Sequence, residues 1–181
     1  MTTAPGVDAV LGQCVEATRA LFGAAACSIA LVDDEGGTLE FVASDGAGAD
    51  EIVGVTIPVS RGIAGWAAMS GQPIAARDVQ TDARFARDVA EATRYVPTAI
   101  YAAPMLDAAG EVLGVVSVLD PEVDETSDWT LHVLGTMAGL MALVTAATAG
   151  AAASGRHPLE RLGADVVRLV ESWQSSPGRP E

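Results

Sequence analysis

Lysine is absent from this chain: all ten of its basic residues are arginine, set against 24 acids. That excludes a Walker-type phosphate loop, whose lysine reaches the terminal phosphates. The formal charge of −14 argues against nucleic acid or an anionic membrane surface as partner. Cysteine and histidine are nearly as scarce, with two of each. Cys14 and Cys27 stand in apolar settings without metal-ligand spacing and read as buried free thiols in a reducing cytoplasm. His132 and His157 are not paired at the spacing of a zinc or iron site, so no metal is expected. His132 reads as a packed or interface imidazole in preference to a haem ligand. No G-x-S-x-G nucleophile elbow occurs. The opening MTTAPGVDAVLG has neither the basic region nor the apolar core of a secretory signal.

What is present begins with apolar content. Half of the 181 residues are hydrophobic, enough for one domain with a sizeable core and an appendage. The chain is organised around residues 62–85, GIAGWAAMSGQPIAARDVQTDARF. Ile63, Trp66 and Met69 recur at helical spacing, Gly71 supplies a left-handed exit, and Pro73 prevents continuation. A short extended run over 74–77 follows. Asp78, Thr81 and Asp82 are turn formers, and Thr81 or Asp82 is placed to cap a helix running through Phe85 to Arg94. Five arginines fall between residues 61 and 94 against four acids, which leaves that window near neutral in an otherwise acidic chain.

Residues 7–22 put Val7, Val10, Leu11, Cys14, Val15, Thr18, Leu21 and Phe22 on one helical stripe, ended by Gly23. Extended runs at 27–32 and 39–43 are joined by DDEGG, and runs at 98–106 and 112–119 by DAAG, as two hairpins. Alternation of Val53, Val55, Ile57 and Val59 predicts a strand over 52–59, kept short or at an edge by Gly54 and Pro58. After an acidic loop at 120–128, Ser127 or Asp128 caps a final long helix.

From Leu131 to Ser154 that helix has no Asp, Glu or Arg, and Gly135 with Gly139 makes a G-x-x-x-G step. Its length suits a bilayer, but its Ala, Gly and Thr content and the lack of a preceding basic flank favour a buried helix of a soluble domain. Leu134, Met137, Met141 and Val144 form one apolar stripe, and Val133, Leu140 and Ala147 a second. Two stripes need two partners: the helix's own sheet, and a helix of another subunit. Residues 150–156 read as a linker. Residues 157–173 read as an amphipathic helix, with Leu159, Leu162, Val166, Leu169 and Trp173 as a seam for the dimer or a partner protein. Residues 174–181 read as a disordered tail.

The order G-x-x-G-W, then SGQPI, then DVQTDARF resembles the sensory GAF domains. Pro104-Met105-Leu106 with Gly114-Val115-Val116 looks like that family's closing hairpin, and the resemblance covers about residues 7–148. It implies an α+β fold over residues 1–149, a GAF-like antiparallel sheet with helices on its faces, followed by the C-terminal helical appendage. It also implies a non-catalytic regulatory domain that binds a small molecule between sheet and lid helices and transmits through its terminal helices. The specialised branches match less well. Relatives that bind cyclic nucleotides carry an Asn-Lys signature where this chain has Asp120-Pro121. Bilin attachment uses a later cysteine, and none follows Cys27. Relatives that reduce methionine sulfoxide need cysteines around the pocket, where Cys14 is badly placed. Haem, bilin and cyclic nucleotide are therefore not expected, and the ligand stays unnamed.

By the same resemblance the pocket wall falls on the arginine-bearing window. The expected ligand-binding residues are Ile57, Arg61, Trp66, Asp78, Arg84, Phe85 and Tyr101. A vacant pocket or an apolar ligand ranks ahead of an anionic one. For a carboxylate or phosphate, whose two oxygens match the guanidinium fork, Arg61 and Arg84 are the preferred clamps because each adjoins a turn at the pocket mouth. The plainer readings are Trp66 as core, Asp78 as a turn former and the arginines as surface ion pairs. A second function is open, a dimerisation or partner-docking module with a vestigial pocket. Both functions carry the expectation of a homodimer through residues 7–22 and 131–148.

Overall fold

A strand such as ACSIALV, apolar at nearly every position, must be covered on both faces, whereas TLEFVASDG alternates. The computed structural model, which describes residues 7–33, 35–122 and 128–154, builds a six-stranded sheet from them. In chain order the elements are α1 (Val7–Phe22), β1 (Ala26–Val32), β2 (Thr38–Gly46), α2 (Ala49–Ile52), β3 (Thr56–Pro58) and α3 (Gly62–Ser70). There follow β4 (Ile74–Ala76), a 3-10 turn (Val79–Thr81), α4 (Arg87–Ala92), β5 (Ile100–Leu106), β6 (Val112–Leu119) and α5 (Asp128–Ser154). The strand order is β3-β2-β1-β6-β5-β4, with every neighbouring pair antiparallel. This is the expected α+β sheet with helices on its faces. Both hairpin turns are closed by an aspartate: Asp33 accepts from the Gly37 N–H at 2.7 Å, and Asp107 from those of Ala109 and Glu111 at 2.8 and 2.9 Å.

The strand period of two sorts side chains into two cores. Cys27, Ile29 and Leu31 of β1, Tyr101, Ala103 and Met105 of β5, and Val116 and Val118 of β6 pack with α1 and α5. Ala30, Ala102 and Val115 face the other way, toward Ile63, Ala64 and Ala67 of α3. Helix α5 rests on the sheet through Leu134, Ala138, Met141 and Ala142, while Met137 is half-buried at the same core. The stripe led by Leu134 therefore meets the helix's own sheet; of the second stripe, Val133 is half-buried against the same core, and Leu140 and Ala147 lie on the less covered side. Leu140 and Leu143 are 59% and 63% exposed there. The span Trp129–Thr148 is long and apolar enough to cross a membrane, with a mean hydropathy of 1.6, and 33% of it is buried against this domain.

Local expectations change where side chains find other partners. Instead of one strand over 52–59, a turn of helix ends at Ile52 and only Thr56–Pro58 pairs with β2. Gly54 has φ +85°, which breaks the extended run and leaves Val53 in solvent. The helix expected through Phe85 to Arg94 is confined to Arg87–Ala92, without a side-chain cap. Asp82 cannot cap it, because its carboxylate accepts from both the backbone and the guanidinium of Arg84. The Thr81 hydroxyl donates to the Asp78 carbonyl instead. The linker expected at 150–156 is helical as far as Ser154, since its alanine run is a strong helix former. Ser127, the helix expected at 157–173 and the tail at 174–181 lie outside the described residues.

Candidate functional site

The sheet face opposite α1 and α5 is incompletely filled. Between it, α3 and the 85–97 segment lies a cavity of about 110 Å³, open on one side. Strand register builds its floor: Ser28 of β1 stands directly across from Ser44 of β2 and from Ser117 of β6. Such cross-strand neighbours hold their Cβ atoms about 4.5–5.5 Å apart, so three serines cross the floor in a row. The walls are apolar, with Phe41, Ile57, Ile63, Phe85, Val89 and Ile100 among them, and the small Ala64 and Ala90 where α3 and α4 approach. Among the described residues that line it, none carries a charge.

Three of the five lining hydroxyls are engaged elsewhere. Ser44 donates to the Cys27 carbonyl at 3.1 Å, Thr93 to the Ala90 carbonyl at 3.0 Å, and Tyr95 to the Asp120 carboxylate. Ser28 and Ser117 are 7% and 5% exposed and have no hydrogen-bond partner among the described residues. Their oxygens open onto the cavity and are not sealed within packing. The cavity therefore presents two unfilled hydrogen-bonding positions side by side.

Tyr95 closes one end. Burial, then the hydrogen bond to Asp120 and that carboxylate's charge, push its phenol up to about 12. The other oxygen of Asp120 accepts from the N–H groups of Thr98 and Ala99, both at 2.8 Å. Just beyond, the Glu122 N–H donates to the Phe22 carbonyl at 3.0 Å. A rim residue is thus tied to the chain that leads toward α5, and that chain is tied to the end of α1.

Of the expected site residues, Ile57 and Phe85 line the cavity. The others do not, so the arginine clamp is corrected. Arg61 pairs with Asp88 on the surface. Arg84 forks onto Asp82 at 2.9 and 2.6 Å and lies 5.1 Å from the Trp66 ring, an arrangement that holds Asp82 down at about 2. Trp66 is on the outer side of α3, 38% exposed, and belongs neither to the core nor to the cavity. Asp78 is an exposed turn residue whose carbonyl accepts from Thr81. Tyr101 is 2% exposed in the core under α1 and α5, because alternation along β5 sends it to the opposite face from Ile100 and Ala102. Ser28, Ser117 and Tyr95 were missed. The available signal was a lone hydroxyl inside each of two apolar strands, CSIALV and VVSVL.

Neither thiol reaches the cavity. Cys27 points into the core beneath α1, and burial pushes it up to about 12; burial also raises Cys14. Iodoacetamide at about pH 8 is expected to leave Cys27 unlabelled until the protein is denatured. Mass spectrometry showing Cys27 alkylated at the rate of a free thiol would contradict this placement.

A family model described as GAF domain matches residues 4–146. No curated protein matches the chain at a significant level. Among solved structures, the GAF domain of a phosphoenolpyruvate-protein phosphotransferase from Coxiella burnetii is similar at a TM-score of 0.70 and 23% identity, over 84% of this chain and 88% of that one. Free methionine-R-sulfoxide reductase from Neisseria meningitidis, in complex with its substrate, is similar at 0.66 and 20%, over 82% and 83%. The second GAF domain of DevS from Mycobacterium smegmatis is similar at 0.63 and 19%, over 80% and 96%.

Proposed function

Because the chain belongs to the GAF domain family, a signalling and sensor type, we propose that it is a non-catalytic regulatory domain that binds a small molecule and transmits occupancy through its terminal helices. The carrying observation is the cavity over Ser28 and Ser117, with its rim tied through Tyr95 and Asp120 to the chain approaching α5. The non-catalytic part draws support from the lining. Among the described lining residues the titratable one is Tyr95, whose raised pKa suits it poorly to acid–base work near neutral pH.

Homodimerisation through α1 and α5 completes this reading, supported by the apolar side of α5 that faces solvent. Residues 157–173, outside the described residues, keep the proposed role of docking on a partner protein. A cytoplasmic location, with neither nucleic acid nor membrane as partner, accords with the −14 charge and with the packing of α5 on its own sheet.

The test is a thermal-shift screen of small metabolites on the wild type and on Ala64→Phe, which fills the cavity. A ligand at about a hundred times its Kd adds roughly 2.7 kcal/mol of stability, which shifts Tm by several degrees. That shift should vanish in Ala64→Phe. An equal shift in the variant would place binding elsewhere.

A further inference from the structure

We propose that the cavity selects an uncharged molecule of about one ring in size, whose single hydroxyl or carbonyl is held jointly by Ser28 and Ser117. This rests on the reading of the cavity as the ligand site and adds the ligand's chemistry. Three observations converge on it. The described lining residues carry no charge, and the nearby arginines are engaged outside: Arg61 with Asp88, Arg84 with Asp82, and Arg87 with the Gln80 carbonyl at 2.8 Å. A carboxylate or phosphate would enter an apolar wall without a counter-charge, which is strongly unfavourable. Second, the two hydroxyls without partners are direct neighbours across β1 and β6, each more than nine-tenths buried. A serine hydroxyl both donates and accepts, so the pair can complete one ligand oxygen, as donors to a carbonyl or as donor and acceptor to an alcohol. Third, the enclosed space is of one-ring size. A dry cavity of about 150 Å³ holds benzene, and this one measures about 110 Å³ with one open side.

The probes are phenol and toluene, nearly equal in shape, and benzamide and benzoate, which differ in charge, each titrated by NMR at neutral pH. Phenol should bind severalfold, up to about tenfold, more tightly than toluene, the usual net return on one well-placed hydrogen bond. Benzamide should bind at least about tenfold more tightly than benzoate. In Ser28→Ala/Ser117→Ala the preference for phenol should disappear while toluene affinity is unchanged. If the double variant fails to fold, Ser117→Ala alone should still reduce the preference severalfold. Toluene matching phenol in the wild type, benzoate matching benzamide, or a preference that survives in a folded variant would overturn the ligand class and leave the sensor reading standing. Failure of all four probes to perturb resonances of cavity residues would likewise overturn the ligand class, while the sensor reading stands or falls on the metabolite screen.

Discussion

Leu140→Asp combined with Leu143→Asp is expected to give a folded monomer in sedimentation at micromolar concentration, where the wild type is expected to sediment as a dimer. Thr136, Leu140, Leu143 and Ala147, all exposed, follow one another at steps of four and three along α5, the spacing of a helix–helix seam. On α1, Val10 and Leu21 are likewise 38% and 56% exposed. A two-fold axis would set this patch against its own copy, so each leucine counts twice. Fully burying a leucine is worth about 1.5–3 kcal/mol. Allowing for the part already covered, four leucines per dimer contribute at least roughly 4 kcal/mol, about a thousandfold in Kd. Aspartates at the same places add repulsion between two chains that are already strongly acidic. The fold should survive, because both side chains point outward, and circular dichroism checks this. Leu134→Asp, on the buried side of the same helix, should not fold. A monomeric wild type, or a dimer that persists in the double variant, would remove α5 from the interface.

The second large effect is expected at Gly65, where two rules disagree in sign. Helix propensity alone favours alanine over glycine by about 1 kcal/mol. A Cβ at position 65, however, would lie 2.4 Å from the Val59 carbonyl oxygen and 3.0 Å from its carbon. Both are backbone atoms and cannot rotate aside, so α3 must lift from the Val59–Ser60 turn. Gly65→Ala should therefore cost about 3 kcal/mol and lower Tm by roughly 6–12 °C. Because Gly62, Ile63 and Ala64 of α3 line the cavity, ligand-induced shifts should shrink as well. Gly12→Ala, at a helical position with no atom within 4 Å of the new Cβ, isolates the propensity effect and should gain up to about 1 kcal/mol. A Gly65→Ala protein that melts at or above the wild type would show that the turn yields easily.

The site was less legible than the fold. Ile57 and Phe85 could be picked out as apolar residues beside turns, and both line the cavity. The fate of Arg84 was also within reach, since its partner Asp82 is two residues away. Tyr101 was not within reach. The run IYAAPML is apolar at both parities, so alternation alone does not say which parity meets α5. Ser28 and Ser117 were visible as solitary hydroxyls, but nothing local marked them as neighbours.

By itself the sequence determined the helices at 7–22 and 62–70, the two hairpins, the GAF-like order of motifs and the exclusion of a phosphate loop. These depend on residue types a few positions apart, where periodicity and turn chemistry act directly. Only the tertiary structure decided which stripe of α5 is left uncovered, which face Tyr101 takes, and which hydroxyls lack partners. Each is a question of register and layer order. Ser28 and Ser117 meet because β1 pairs with β6, strands far apart in the chain. The cavity above them is what the packing of α3 and the 85–97 segment leaves unfilled.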